Sequence, residues 1–221
     1  MTLSITLPKG YLFPQSLDLL RRSGYDISGL SEENRRLTFL KKKDGIRYIV
    51  ARPTDVPKYV EYGAADLGIV GKDVLIEQRS HTYELLDLGF GQCRFITAAL
   101  AGTREQRERN YEHLGYLRVA TKYPHVAEEF FNEKGIQVEI IRLHGSIELA
   151  PLLGIADQIV DITSTGRTLR ENNLQVIDEI ALCTARLIAN QVSYKLKYQE
   201  IDGLISKIKK AMGKEAVEGE S

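Results

Sequence analysis

Short apolar runs of strand length alternate with segments whose apolar residues recur at helical spacing along most of the 221-residue chain. Residues 3–7, 66–70 and 158–162 are runs of the first kind, and residues 124–134 form a segment of the second kind. This alternation is typical of α/β proteins, because a parallel strand needs a crossover, usually a helix, before the chain can rejoin the sheet. It predicts parallel sheets covered by helices.

The same pattern gives approximate bounds for each element. A hairpin is expected where Asp44-Gly45 separates two strand-like runs, since glycine takes the positive φ that such a turn requires. The expected strands are residues 3–7, 37–40, 46–50, 66–70, 95–100, 117–121, 138–143, 158–162 and 176–181. The expected helices are residues 11–23, 55–62, 72–77, 124–134, 146–153, 165–172 and 201–212, while the charged region 103–113 is expected to be a loop or a solvated helix.

Composition excludes several classes of protein. Lys plus Arg and Asp plus Glu each total 30, so the formal net charge is zero. A zero net charge argues against broad nucleic-acid binding, because contacts to phosphates need a basic surplus. No apolar run approaches the ~18 residues of a membrane-spanning helix, and the first residues lack the basic leader and long apolar stretch of a signal peptide. We therefore expect a cytoplasmic protein that binds neither nucleic acid nor a membrane.

The cysteines and histidines do not predict a metal site. Cys93 and Cys183 are the only cysteines, and they lie far apart without C-x-x-C spacing. We interpret them as buried thiols. The four histidines show no spacing typical of zinc ligands, so no metal site held by protein side chains alone is expected.

The segment from Asp157 to Leu169 is the most informative part of the sequence. An apolar strand ends in Asp161, and hydroxyl residues, a glycine and a helix follow. Hydroxyl donors, a cation, free N–H groups at a helix start and a glycine that permits close approach together suit a bound phosphate. The candidate residues are Asp161, Thr163, Ser164, Thr165, Gly166, Arg167 and Thr168. A Walker A motif is absent, and the structural alternative is an ordinary capped helix after a strand.

Other polar residues lie where expected strands end and helices begin. Glu148 either favours the dipole of its own helix or lines the same pocket as Asp161. Four more residues follow expected strands, at the positions where open α/β sheets bind ligands. These are Lys9, Arg52, Asp73 and Tyr123. Asp73 has the alternative role of a helix N-cap, but the shared position at strand ends favours a common cleft.

These residues carry a resemblance to a known family. The run Glu148-x5-Gly154-x-Ala156-x2-Ile159-x-Asp161-Ile162-x2-Thr165-Gly166-Arg167-Thr168-Leu169 resembles the signature of the ATP phosphoribosyltransferases, which catalyse the first step of histidine biosynthesis. Further landmarks of that family occur in the right order at residues 7–10, 66–73, 88–91, 120–124 and 143–145. The resemblance covers about residues 2–210, and the long signature is highly specific.

The resemblance implies a two-lobed α/β fold similar to the type II periplasmic binding proteins, with the ligand cleft between the lobes. Lobe I is expected to comprise residues 1–92 and, after the chain returns, residues 184–212. Lobe II is expected to comprise residues 93–183, and residues 213–221 are expected to form a disordered tail. Two crossover strands are expected to bring Cys93 and Cys183 near one another as free thiols.

The resemblance also implies the reaction. N1 of ATP attacks the anomeric carbon of 5-phosphoribosyl 1-pyrophosphate, and pyrophosphate leaves. Glu148 and Asp161 are then the expected catalytic residues, while Asp161 and residues 163–168 bind the phosphoribosyl substrate. The expected ATP-binding residues are Lys9, Arg52, Asp73 and Tyr123. The cofactor is Mg²⁺, held mainly by substrate oxygens rather than by a dedicated protein cage.

Chain length resembles that of the short form of the family. Short-form members work with a regulatory subunit related to histidyl-tRNA synthetase, usually in a hetero-octamer, and histidine would act through that subunit. A stripe on the last helix either packs on the chain's own sheet or forms a subunit surface. The stripe consists of Ile201, Leu204, Ile205, Ile208 and Met212.

One position departs from the family pattern. Tyr11 stands where many members have an arginine after Lys-Gly, so another cation must compensate or the contact differs. The candidate cations are Arg21, Arg22 and Arg52.

Two other functions stay open at this level. A non-catalytic two-lobed binding protein for a small phosphorylated ligand would share the lobes, but it would not explain Glu148 together with the phosphate loop. A different phosphoribosyltransferase would share the acid followed by Thr-Gly, but the landmarks outside the loop argue against it.

Overall fold

The computed structural model describes residues 2–218 and the side chains of residues 2–213. The chain forms two compact units. The first consists of the chain before Ile76, the segment Arg79–Gly91 and the chain from Thr184 onward; the second consists of Ile76–Gln78 and Gln92–Cys183. Each unit has its own sheet, which confirms an α/β fold. No described helix is long and apolar enough to cross a membrane.

The elements follow one another in chain order. The strands are β1 (Leu3–Pro8), β2 (Thr38–Lys41), β3 (Ile46–Ala51), β4 (Leu67–Gly71), β5 (Tyr83–Asp87), β6 (Cys93–Leu100), β7 (Leu117–Thr121), β8 (Val138–Arg142), β9 (Gln158–Thr163), β10 (Leu174–Cys183) and β11 (Ala185–Ala189). The helices are α1 (Phe13–Arg22), α2 (Val56–Glu61), α3 (Lys72–Gln78), α4 (Arg104–Leu114), α5 (Pro124–Glu133), α6 (Leu149–Leu152), α7 (Arg167–Glu171), α8 (Gln191–Leu196) and α9 (Tyr198–Glu218). A 3₁₀ turn, Pro53–Asp55, precedes α2.

The sheet of the first unit has the order β2-β3-β1-β4-β11-β5. Strands β3, β1 and β4 are parallel, as the alternating pattern predicts, whereas β2, β11 and β5 make antiparallel pairs. The expected parallel strands are therefore present, but the sheet is mixed rather than parallel throughout. The hairpin at Asp44-Gly45 reverses β2 against β3, and β11 joins the sheet only after the chain returns from the second unit.

The apolar stripe of α9 packs in the core of its own unit. Ile201, Leu204 and Ile208 are buried in the cluster that also contains residues of β1, β3 and α1. Ile205 and Met212 pack against this cluster. This packing favours the first interpretation of the stripe over a subunit surface.

Helix α9 is also longer than the sequence suggests. It continues through Gly213 to Glu218, where a disordered tail is expected. A glycine costs about 1 kcal/mol in a helix interior, but it does not end a helix when helix formers such as Lys, Glu and Ala follow. The rest of the expected tail, residues 219–221, lies outside the described residues.

The sheet of the second unit has the order β10-β6-β9-β7-β8. Strands β8, β7 and β9 are parallel neighbours, and β6 runs antiparallel to β9. Cys93 and Cys183 are paired in register between β6 and β10, and neither forms a disulfide. This register confirms their expected proximity. Cys183 is buried as expected, whereas Cys93 is only partly buried. The charged region forms helix α4, which buries none of its residues and so is a solvated helix rather than a loop.

A buried carboxylate precedes β4 in the first unit. Asp66 accepts hydrogen bonds from the backbone N–H and the hydroxyl of Ser4, each at 2.8 Å, and from the hydroxyl of Ser193 at 2.7 Å. Lys197 Nζ lies 2.8 Å from both of its oxygens. Burial alone would raise the pKa of Asp66, but these bonds outweigh burial and lower the pKa. The carboxylate thus ties the start of α9 to the sheet.

A second buried carboxylate precedes β9 in the other unit. Asp157 accepts bonds from Arg118 Nε at 3.1 Å, Arg118 Nη2 at 2.9 Å and Asn110 Nδ2 at 2.8 Å. The backbone N–H of Arg118 donates to it as well, at 2.9 Å. Here, too, burial raises the pKa of the carboxyl group, while the bonds from Arg118 and Asn110 lower it further than burial raises it.

Candidate active site

The candidate site of the second unit lies at one edge of its sheet. Strands β8, β7 and β9 run parallel, so the segments that follow them leave the same edge. These segments carry Lys122 and Tyr123 after β7, Glu148 after β8, and the hydroxyl-rich loop after β9. Parallel pairing is what places polar residues distant in sequence at a common edge.

Asp161 lies near the end of β9 and is 8% exposed. Its Oδ1 accepts a bond from the backbone N–H of Ile162 at 2.9 Å, and Lys122 Nζ lies 3.4 Å from the same oxygen. Burial raises the pKa of Asp161; the charge of Lys122 opposes this rise, and the charge of Glu148 adds to it. The carboxylate is therefore buried with far fewer partners than Asp66 has, which leaves it able to accept bonds from a ligand.

The loop after β9 is organised by its own hydroxyl groups. Gly166 has a φ of +70°, and its N–H donates to Thr163 Oγ1 at 3.0 Å. The N–H of Arg167 donates to Thr165 Oγ1 at 3.4 Å. Gly166 occupies the N-cap position of α7, where no side chain caps the helix. The N-cap glycine has no side chain, so Thr163 and Thr165 supply the hydroxyls that meet the first N–H groups of this turn.

The rest of the loop faces solvent. Ser164, Thr165, Arg167 and Thr168 are exposed, and the hydroxyls of Ser164 and Thr168 make no hydrogen bond with a described residue. Arg167 Nε lies 2.7 Å from Glu171, so its charge is partly neutralised. Because α7 has only five residues, its dipole contributes little, and the hydroxyl and N–H donors are the features suited to a phosphate.

Glu148 is close enough to Asp161 for its charge to act on that carboxyl group. It occupies the N-cap position of α6 without making a capping bond, and α6 has only four residues. Stabilisation of a helix dipole is therefore a weak reason for a carboxylate here. Its charge reaches Asp161 and raises the pKa of that group, so the two carboxylates share one environment.

Tyr123 lies in the second unit, beside Lys122. Its ring packs edge-on against Phe95, with 4.9 Å between centroids, and Lys122 Nζ lies 5.4 Å from the ring centroid. Sequence reasoning missed Lys122 as a site residue, although it stands next to Tyr123. The available signal was its position directly after β7, the strand paired with β9.

The other expected site residues lie in the first unit, at the carboxyl ends of β1, β3 and β4. Lys9 follows β1, and its N–H donates to Ala51 O at 2.8 Å, directly before Arg52. Asp73 lies in the first turn of α3 rather than at an N-cap. A Cβ on Gly71 would lie 2.1 Å from Asp73 Oδ1, so the glycine makes room for this carboxylate.

The structure distinguishes among the three arginines that could compensate for the family arginine replaced by Tyr11. Arg21 pairs with Asp18, and Arg22 Nη1 donates to Ala211 O at 3.1 Å in α9. Both arginines are thus engaged on the helix side of the unit. Arg52 is exposed and makes no ion pair with a described residue, which favours it as the compensating cation.

The described side chains do not form a metal cage. Among residues 2–213, no three His, Cys, Asp or Glu side chains are close enough to hold a metal ion together. Glu148 is close enough to affect the pKa of Asp161, and an ion whose other ligands come from substrate phosphates needs only one or two protein carboxylates.

Fold and site together have the features of an α/β enzyme that acts on phosphorylated substrates. The HisG family profile, ATP phosphoribosyltransferase, matches residues 52–210. The chain is 54% identical over 213 residues to the ATP phosphoribosyltransferase of Moorella thermoacetica, covering 96% of this chain and 93% of that protein. It is 50% identical to the enzyme of that name from Rubrobacter xylanophilus, covering 93% and 94%. The chain belongs to the ATP phosphoribosyltransferase family.

Solved structures give the same result. A chain of the ATP phosphoribosyl transferase (HisG:HisZ) complex from Thermotoga maritima superposes with a TM-score of 0.81 at 34% identity, covering 96% of this chain and 99% of that chain. Tv2483 bound to L-arginine superposes with a TM-score of 0.61 at 16% identity, which concerns the fold alone. Family membership makes the chain a pentosyl-transferring enzyme of histidine biosynthesis, and a non-catalytic binding protein is not favoured.

Proposed function

We propose that the two groups of site residues divide the two substrates of the phosphoribosyl transfer. The loop from Asp161 to Thr168 holds 5-phosphoribosyl 1-pyrophosphate, and Glu148 lines that site. The single observation that supports this assignment best is Asp161, a buried carboxylate with few partners. It precedes a loop in which Ser164 and Thr168 are exposed and their hydroxyls make no hydrogen bond with a described residue. A phosphate meets the loop, and ribose hydroxyls donate to the carboxylate.

The reaction needs alignment and charge stabilisation rather than an activated nucleophile. N1 of adenine already has a lone pair, and the ribose becomes cation-like as pyrophosphate departs. An ionised Asp161 stabilises that positive charge, and Lys122 helps to keep the carboxyl group ionised against the effect of burial. Glu148 adds negative charge on the same side.

The ATP side is assigned to Lys9, Arg52, Asp73 and Tyr123. The first three lie at neighbouring strand ends of the first unit, and Tyr123 offers an aromatic ring in the second. The assignment assumes the two-lobed arrangement of type II periplasmic binding proteins, with ligands held between the lobes.

Mg²⁺ is the proposed cofactor. Pyrophosphate oxygens supply most of its ligands, and Asp161 or Glu148 can add one. When bound, the ion neutralises charge on the pyrophosphate. The cytoplasm is the proposed location, because both substrates are metabolites of the cell interior.

The proposed partner is a regulatory subunit related to histidyl-tRNA synthetase, in a hetero-octamer. The similarity to a chain of the Thermotoga maritima HisG:HisZ complex supports this assignment. Histidine would then inhibit through the partner.

The test is an assay of the purified chain with ATP, 5-phosphoribosyl 1-pyrophosphate and Mg²⁺, with and without a HisZ-like subunit. Formation of N1-(5-phosphoribosyl)-ATP is expected, and dependence on the subunit would support the short-form assembly. Measurable binding of both substrates without product, even with the partner present, would contradict the proposed function.

A further inference from the structure

Thr121 is the last residue of β7 in the second unit, and it is fully buried. Its hydroxyl has two backbone partners: it donates to Val160 O at 2.7 Å and accepts from the N–H of Tyr123 at 2.8 Å. Its carbonyl oxygen accepts from the N–H of Leu143, directly after β8, at 2.9 Å. One residue therefore bonds to β9, to the end of β8, and to the turn that follows its own strand.

The two bonds of the hydroxyl flank residues of the candidate site. Lys122 lies between Thr121 and Tyr123, the residues that one bond joins. Val160, whose carbonyl accepts the other bond, directly precedes Asp161. The hydroxyl thus connects the segment that carries Lys122 to the segment that carries Asp161. Lys122 Nζ lies 3.4 Å from Asp161 Oδ1, a separation that depends on how these two segments are held.

Packing in the core does not require this hydroxyl. Leu117 and Val119 share a face of β7 with Thr121, and both are buried apolar residues of one cluster. Valine is β-branched like threonine and has a similar size, but it neither donates nor accepts a hydrogen bond. The contribution specific to threonine is therefore the pair of bonds at the strand end.

We propose that Thr121 is a positioning residue for the phosphoribosyl transfer. Its hydroxyl holds the turn that carries Lys122 against β9, so that the ammonium group of Lys122 stays beside Asp161. Because Thr121 is buried, it acts through these two residues rather than by contact with a substrate. The inference rests on the proposed role of Asp161 at the ribose.

Thr97 provides a matched comparison in the same unit. It is also fully buried, and its hydroxyl donates to Asp178 Oδ2 and accepts from the N–H of Asp178, each at 3.1 Å. Strand β10, which carries Asp178, contains none of the proposed site residues. Loss of either threonine hydroxyl should lower stability, whereas only loss of the Thr121 hydroxyl should affect the reaction.

Steady-state kinetics of the full chain, with a HisZ-like subunit present, test the proposal. Thr121→Val should lower kcat at least about tenfold, because misplacement of groups around the reacting atoms is costly. KM for each substrate should change less than about threefold, since the hydroxyl contacts neither substrate. Thr121→Ser keeps the hydroxyl and should retain kcat within about threefold, as should Thr97→Val. Thermal melts check that every variant folds.

A double-mutant cycle shows whether the effect passes through Lys122. The kcat of Thr121→Val/Lys122→Met should equal that of Lys122→Met within about twofold, because the second change removes the group that the hydroxyl positions. Losses that multiply would overturn the proposal, as would a wild-type kcat in folded Thr121→Val or an equal loss in Thr97→Val. A rise in KM for ATP without a fall in kcat would also overturn it. The Lys122→Met arm does not depend on the folding of a Thr121 variant, and a wild-type kcat there would by itself overturn the proposal.

Asp161→Asn is assayed in parallel, so that failure of this inference can be told from failure of the proposed function. Loss of activity in Asp161→Asn with unchanged kinetics in Thr121→Val would overturn the positioning role alone. Retained activity in folded Asp161→Asn would overturn the proposed role of Asp161 and the inference about Thr121 with it.

Discussion

Strands β4 and β9 begin alike and end differently. Each follows an Ala-Asp pair, Ala65-Asp66 before β4 and Ala156-Asp157 before β9. In both units this aspartate is buried, saturated with hydrogen bonds, and has a lowered pKa. Four residues further on, the first unit has the buried Val70, whereas the second has the buried Asp161 with a raised pKa.

This difference separates two uses of a buried acid. Asp66 and Asp157 receive enough donors to offset their burial, so they stabilise the fold in the ionised form. Asp161 receives too few donors to offset its burial, so its ionised form lowers the stability of the folded state. Val70, at the equivalent position of the first unit, is apolar and has no such cost. A site of ligand binding is where such a deficit is expected, because the substrate supplies the missing partners.

The largest expected effect is the loss of stability on replacing Asp66, the buried aspartate before β4. Asp66→Asn should lower the free energy of unfolding by about 3–5 kcal/mol, since Lys197 loses a charged partner while staying half-buried. Because the pKa of Asp66 is lowered by folding, its contribution is present above the unfolded-state pKa of about 3.9 and is lost as pH falls below that value.

Urea titrations at several pH values measure this effect. The gap in unfolding free energy between wild type and Asp66→Asn should be widest at neutral pH and narrow below about pH 4. A gap that is absent at neutral pH, or that widens in acid, would show that Asp66 is not stabilising as the carboxylate. Asp18→Asn, at an exposed surface pair, serves as the control and should change stability by less than about 1 kcal/mol.

Asp161→Asn should have the opposite signature. We expect kcat/KM to fall at least about 100-fold, or ~2.7 kcal/mol, because the charge facing the cation-like ribose is lost. Stability should be unchanged or higher at neutral pH, because folding raises the pKa of this carboxyl group and therefore disfavours its ionised form. That gain should disappear as pH falls through the raised pKa.

Parallel kinetic and urea measurements on Asp161→Asn and Asp157→Asn compare the two acids within one unit. Retained activity in a folded Asp161→Asn variant would remove it from the catalytic residues. Loss of stability comparable to that of Asp157→Asn would remove the distinction between the two acids.

The sequence predicted the strands and the loop better than the contacts between them. Apolar runs identified β4 and β9, and the hydroxyl-rich loop marked the candidate phosphate site, because both depend on local pattern. The edge strand β5 and the short helix α8 were missed, since Tyr83–Asp87 has no regular alternation and is held by pairing with β11. Lys122 was missed because its ion pair with Asp161 depends on the parallel pairing of β7 and β9, which is a tertiary feature.

Two neighbours should move the ionisation of Asp161 in opposite directions. Lys122→Met removes the charge that lowers the pKa of Asp161, so the acid limb of the kcat/KM profile should shift to higher pH. Glu148→Gln removes a charge that raises this pKa, so the limb should shift to lower pH, with at least about a tenfold loss of kcat/KM at the optimum. Lys122→Arg is the control and should retain the wild-type limb. Shifts of the same sign in both variants would show that the limb belongs to another group.

The smallest expected effect tests the loop rather than the carboxylate. Thr168 is exposed, and its hydroxyl makes no hydrogen bond with a described residue, so Thr168→Val should leave the melting temperature nearly unchanged. Loss of one hydrogen bond to a phosphate should raise KM for 5-phosphoribosyl 1-pyrophosphate by about 3–10-fold, which corresponds to ~0.7–1.4 kcal/mol. Thr168→Ser keeps the hydroxyl and should retain the wild-type KM. An unchanged KM in Thr168→Val would contradict the assigned contact, while a similar rise in KM for ATP would place the loop on the other substrate. The variant thus tests whether the exposed hydroxyl of Thr168 contacts the same substrate that Asp161 is proposed to bind.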